Sequence, residues 1–153
     1  MASIKSQKFA APQLMRVDGN GAVLTDKVVL GASPGLGTPA SADTIDFPMP
    51  AGALLTELAF QLDDSDTGAA FVFGVGYRAK DPADATVLPT SAAYFAAAGQ
   101  TTGQAGGRLT CNFKPIKFEV EAVIQLLVGT APAGISGNPE IHMIAGYAQQ
   151  GVK

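Results

Sequence analysis

The segment 54–77, LLTELAFQLDDSDTGAAFVFGVGY, decides how this chain is read. Leu54, Thr56, Leu58, Phe60 and Leu62 share one parity, and Glu57 and Gln61 fall on the other. Phe71, Phe73, Val75 and Tyr77 repeat the pattern, with Gly74, Gly76 and Arg78 opposite them. Side chains alternate across a strand, so period two with one polar face marks a half-buried β-strand. Between the two runs lies Asp63-Asp64-Ser65-Asp66-Thr67-Gly68, three carboxylates in four residues and then a glycine. Two strands joined by a short Asp/Gly loop predict a hairpin, with the Asp side chains accepting backbone N–H groups and Gly68 taking the left-handed angle. The loop also begins like a calcium loop, Asp64-x-Asp66-x-Gly68. Its third ligand position is Gly68 and its closing acid position is Val75, so the roughly six to eight oxygens that calcium takes are not supplied locally. Turn chemistry is the expectation, and an ion shared with a distant loop is the alternative.

Working outward, the same reading predicts strands at 22–31 and 43–49, the latter an edge strand because Pro48 cannot donate to a ladder. Further strands follow at 108–113, 117–128 and 140–148. In 117–128, Phe118, Val120, Ala122, Ile124, Leu126 and Val128 alternate with Glu119, Glu121 and Gln125. In the last strand Ile141, Met143, Ala145 and Tyr147 form one face. The long irregular piece 80–107 holds SAAYFAAAG, 91–99, which its alanines predict to be a short helix capped by Ser91 and stopped by Gly99. Tyr94 and Phe95 must then anchor it on the body. Seven or eight strands and one short helix in a long loop predict an all-β protein, an antiparallel β-sandwich or jelly roll.

The 153 residues suit one domain, large enough to bury a core without a disulfide or metal staple. Charged residues are only 15% of the chain, against about 25% in ordinary domains. So sparse a charge predicts a surface that rests largely on other protein. The net charge of −3 argues against nucleic-acid binding, which needs an excess of Lys and Arg. No apolar run is long enough for a signal peptide or a membrane span, so folding in a cytoplasm is expected. Residues 1–20 read as an extended N-terminal arm, and 21–153 as a single β-sandwich domain. The arm carries Lys5, Lys8 and Arg16 before the first acid, Asp18. It is either a frayed terminus or an arm that orders against a neighbouring subunit.

Chemistry-bearing residues are few. Cys111, the only cysteine, reads as a small buried hydrophobe, with a reactive or intermolecular thiol as the alternative. His142, the only histidine, lies on the outward parity of the last strand and lacks a neighbouring nucleophile motif. One His and one Cys fall short of a zinc ligand set. Glu119 and Glu121 would sit about 7 Å apart on one strand face, which overlaps glycosidase spacing but reads as a solvated face. Gly74-Val75-Gly76 opens no helix and so makes no phosphate loop. Glycine there is expected to make room for a neighbouring backbone or ring. Gly35-Leu36-Gly37 reads as a plain loop. No catalytic, metal or cofactor site is expected.

The segment DTIDFPMPAGALLTELAFQLDDSDTGAAFVFGVGY resembles a pattern of small structural proteins of tailed bacteriophages. There a phrase of strand, Pro-x-Gly and strand precedes an acidic Gly/Thr hairpin and a Gly-x-Gly-Tyr strand. Here it is carried by Ile45, Pro50, Gly52, Leu54, Leu55 and Leu58, then Gly74, Gly76 and Tyr77. The Tyr94-Phe95 pair, the Val123–Pro132 strand end, a glycine-bearing loop and a final strand follow in order. The likeness spans roughly 43–148 and leaves the arm outside. It implies a virion role, as a capsid decoration or cement protein that sits on the shell, bridges capsid subunits and carries no reacting group. The implied partners are the major capsid protein and further copies of itself, as a homotrimer rather than a dimer, with no nucleic acid and no membrane. The expected contacts are Lys5, Lys8, Phe9, Leu14 and Arg16 of the arm, with the loops 32–42 and 99–107. A neck or tail component of the virion, or a glycan-binding sandwich, are the alternatives. The second is weakened by the absence of Trp and by the inward parity of Tyr77 and Tyr147.

Overall fold

Residues Ala53–Leu62 form a strand, β4, whose Leu55, Leu58, Phe60 and Leu62 are almost wholly removed from water. The structure is a computed structural model that describes residues 3–5, 21–31 and 37–150. The other strands are β1 (Ser3–Lys5), β2 (Ala22–Val29), β3 (Thr44–Met49), β5 (Val72–Ala79) and β6 (Ser91–Gln100). They continue with β7 (Gly107–Thr110), β8 (Ile116–Lys117), β9 (Ala122–Thr130) and β10 (Glu140–Gln149). One sheet has the order β1-β3-β9-β5-β6 and the other β2-β10-β4-β7, with β8 also paired to β4. Among the described residues every ladder between these strands is antiparallel except β1 on β3. The inner faces meet in one apolar core holding Phe47, Phe60, Phe71, Phe73 and Phe118, and the all-β sandwich expected from the alternation is what forms.

The hairpin expected across 54–77 does not exist. β4 lies in one sheet and β5 in the other, so residues 63–71 carry the chain around the end of the sandwich. Both runs are half-buried strands, and either connection satisfies that pattern. β4 finds β10 over the whole span from Leu62 to Ala53, and β5 finds β9. These ladders pair the full length of each strand, so no backbone group is lost by giving up a β4–β5 ladder.

The segment 91–99 is strand, not helix. β6 runs along β5, with Tyr77 opposite Ser91, Val75 opposite Ala96 and Phe73 opposite Gln100, and it bulges between these points. Alanine's helix propensity is worth only tenths of a kcal/mol per residue. An open β5 edge would leave a row of N–H and C=O groups without ladder partners, which outweighs it. Anchoring by aromatics is as expected: Phe95 packs edge-on to Phe113 at 4.8 Å and Tyr94 edge-on to Tyr77 at 5.3 Å. The Tyr94 hydroxyl donates to the Lys114 carbonyl.

The run 117–128 is likewise not one strand. Lys117 ends β8 in one sheet, and Ala122 begins β9 in the other. The crossover is pinned by Phe118, whose side chain is fully buried and whose backbone pairs with Ala53 and Gly52. β3 is not the edge strand that Pro48 predicted: it lies between β1 and β9, and among the described residues β1 pairs with it from Thr44 to Asp46, short of Pro48.

Candidate interaction site

The acidic loop is built inward. Asp66 is 4% exposed, and its carboxylate accepts the backbone N–H groups of Gly68, Ala70, Phe71 and Ala133. Burial alone would push this carboxyl up, but the four donors outweigh it and hold it at about 2. Hydrogens aimed at both oxygens present the wrong polarity to a cation, so the residue serves as a corner brace. Asp63 accepts the Glu140 N–H, and Ser65 donates its N–H to the Gly103 carbonyl. The left-handed residue is Ala69, at φ 57°, and not Gly68. Gly68 is needed for space, because a β-carbon there would lie 2.5 Å from Ala133 Cβ.

The two glutamates and the histidine singled out from the sequence are held in pairs. Glu119 and Glu121 fall in the crossover rather than on a strand face, with Lys117 at 3.0 Å from Glu119 and Lys80 at 2.6 Å from Glu121. His142 faces outward on β10 between Lys27 and Gln61, as its parity predicted, and its Nε2 lies 2.7 Å from Glu140. Lys27, 2.6 Å from the other Glu140 oxygen, holds that carboxyl below the ordinary carboxylate range. Cys111 belongs to the core, and burial pushes its thiol up to about 11, far from a reactive thiolate. Gly76 makes room as expected: a β-carbon there would lie 1.9 Å from the Ser91 carbonyl.

Of the expected contact residues, Lys8, Phe9, Leu14 and Arg16 lie outside the described residues, as do 32–36 of the first loop. Lys5 is on β1, where its Nζ reaches the Asp46 carboxylate at 2.6 Å. The Ser3 hydroxyl donates to the same oxygen, and Arg78 reaches it at 2.9 Å. Burial would raise the Asp46 carboxyl, but the Lys5 and Ser3 hydrogen bonds and the two cations hold it below the ordinary range. The sequence pattern assigned Asp46 and Arg78 no role. The available signal was an aspartate inside the apolar run TIDFPM.

The loop 99–107 is docked rather than free. Its turn Thr102–Gln104 buries Gly103, and the Gln104 side chain donates to the Phe71 carbonyl. It ends a run of 23 residues, Ala85 to Gly107, without one Asp, Glu, Lys or Arg. That run is nonetheless largely at the surface, with Val87 58% and Tyr94 36% exposed. Depletion of charge is one mark of an interface core, and Tyr94 and Phe95 are another, although the many alanines of this run are not.

No protein-family model matches the chain, and no curated protein sequence matches it. Solved structures do. A chain of the capsid of Ralstonia phage GP4 superposes with a TM-score of 0.72 at 23% identity, covering 97% of this chain and 98% of that one. A chain of the cyanophage Pam1 capsid asymmetric unit gives 0.54 at 17% identity, covering 90% and 94%. A chain of the acid-stable capsid of Helicobacter pylori bacteriophage KHP30 gives 0.53 at 11%, covering 87% and 91%. At these identities the likeness establishes a shared fold.

Proposed function

We propose that this protein is a structural component of a bacteriophage head, a decoration or cement subunit that binds the outside of the shell and bridges capsid subunits. The observation that carries the reading is the near end-to-end superposition on a chain of the GP4 capsid, with almost nothing left over on either side. Two further capsid chains share the fold, which favours the head over the neck or tail. The chemistry is consistent. The carboxylates of Asp66, Glu119 and Glu121 are braced by N–H groups or cations, and the one thiol is buried and protonated.

In this reading residues 1–20 are the arm and 21–153 the β-sandwich body, assembled in the host cytoplasm and carried on the virion exterior. The partners are the major capsid protein and further copies of the chain, as a homotrimer. Contacts run through Lys5, Lys8, Phe9, Leu14 and Arg16 and through the loops 32–42 and 99–107, the second joined by the rest of the uncharged stretch 85–107. A subunit that binds only the mature lattice stabilises it in proportion to occupancy, and multivalency multiplies modest contacts.

The test is binding to heads that lack this protein, followed by particle reconstruction. Copies in the hundreds on the outer shell are expected. About six or twelve copies at one vertex would move it to the neck or tail, and no binding would end the proposal. Lys8→Glu with Arg16→Glu should abolish coating while leaving the fold intact. These are better probes than deletion of the arm, which would also strip Ser3 and Lys5 from Asp46.

A further inference from the structure

The edge of β3 forms a socket for one particular strand. Asp46 is fully buried, on the parity opposite to the core-facing Ile45 and Phe47. A buried carboxylate persists only with donors around it. Among the described residues, every side-chain donor comes to Oδ2, and Oδ1 has no hydrogen-bond partner. Two of those three donors, Ser3 and Lys5, arrive on β1. Between them Ile4 fills a slot walled by Gly37, where a carbon in place of the glycine hydrogen would lie 2.6 Å from Ile4 Cδ1. The ladder is parallel, from Ser3 opposite Thr44 to Lys5 opposite Asp46. The socket thus reads a hydroxyl, a branched apolar side chain and a cation on one extended backbone.

Sixteen residues, 6–21, join β1 to β2. Extended, they reach up to about 55 Å. A body of this size is about 40 Å across. The tether is therefore long enough to carry β1 past its own body.

We infer that β1 is an exchangeable strand, so that Ser3-Ile4-Lys5 of one copy occupies the Asp46–Gly37 socket of a neighbouring copy when copies are held close together. Docking within a chain and docking between chains make the same contacts, so effective concentration sets the balance. The close packing that favours exchange rests on the shell reading proposed for this protein, but exchange itself is measurable on the isolated chain.

The experiment uses two single-cysteine chains in a Cys111→Ala background, one with Ile4→Cys and the other with Gly37→Cys. They are mixed at high concentration, unfolded, and refolded together in a glutathione redox buffer. Contact within a chain cannot join them, so a disulfide-linked heterodimer reports docking between chains. The added thiol at position 37 crowds its own Ile4 and accommodates the shorter side chain of the other chain. Heterodimer should exceed both homodimers, and should fall about tenfold when the Ile4→Cys chain also carries Lys5→Glu, which removes a charge-assisted bond to Asp46. Should the Gly37→Cys chain fail to fold, Ser3→Cys and Thr44→Cys test the same register. A heterodimer yield no greater than the homodimers, or one indifferent to Lys5→Glu, overturns the inference. Coating of heads by the unmodified chain is scored separately. Coating without exchange would overturn the socket alone, and exchange without coating would overturn the virion reading alone.

Discussion

Asp66 Oδ1 accepts the backbone N–H of Ala133 at 2.8 Å, tying the corner between the two sheets to a loop 67 residues further along the chain. The same carboxylate takes three more N–H groups from its own loop. Asp66→Ala would leave these donors without acceptors in a nearly dry site. It should lower the thermal midpoint well below that of Asp64→Ala, whose carboxylate receives a single local N–H, that of Asp66. Equal midpoints for the two variants, measured by circular dichroism, would show that the corner does not depend on Asp66.

Acid should expose the same brace. Asp66 titrates at about 2 when folded, against an ordinary 3.8. A carboxyl depressed in the folded state adds stability above its unfolded pKa, and that contribution is lost as pH falls through the folded one. Asp46 is shifted in the same direction. Urea midpoints should hold steady down to about pH 4 and then fall towards pH 2. Asp66→Asn should be less stable near neutrality and show a shallower acid slope. A parallel slope in the variant would rule Asp66 out as its source.

The buried Asp46–Arg78 pair makes a second claim on stability. Removing one partner of a buried pair leaves an uncompensated charge and costs about 3–5 kcal/mol. Arg78 is partly exposed and Lys5 and Ser3 remain on Asp46, so Arg78→Met should cost less than that, about 1–2 kcal/mol. Adding Asp46→Asn should recover part of that loss. Urea unfolding of the two single variants and the double variant measures the coupling, and strictly additive losses would contradict it.

Gly76 and Gly129 are both next to strand backbone, but only one is crowded. A β-carbon at Gly76 meets the Ser91 carbonyl oxygen at 1.9 Å and the Ala92 carbonyl carbon at 2.5 Å, whereas one at Gly129 meets nothing nearer than 3.5 Å. Backbone cannot rotate away as a side chain can. Gly76→Ala should therefore cost at least the roughly 1–3 kcal/mol of an overpacked site, and Gly129→Ala less than about 1. A Gly76→Ala chain as stable as the parent in urea would mean that β6 does not lie against β5 as described.

Much of this architecture was legible in the chain. Two strands of the core carry their own evidence: Leu58, Phe60 and Leu62 on β4, and Ile141, Met143, Ala145 and Tyr147 on β10, alternate with more exposed neighbours and all lie inside. Tyr94 and Phe95 are readable as anchors, though the segment they anchor is a strand where its alanines predict a helix. The expected contact residues Lys8, Phe9, Leu14 and Arg16 were legible only as a charge and composition bias.

Alternation, a local property of consecutive side chains, marks β10 and most of β4 as strands with a wet and a dry face, but not β6, whose alanines predict helix, nor β3 and β9, which are buried on both sides. Tertiary structure alone decided which strand lies beside which: that β4 and β5 part company at Asp66, that Phe118 sends the chain from one sheet to the other, and that SAAYFAAAG completes the β5 edge. Those outcomes depend on backbone N–H and C=O groups finding partners far along the chain. The side-chain pattern is the same whichever partner is chosen.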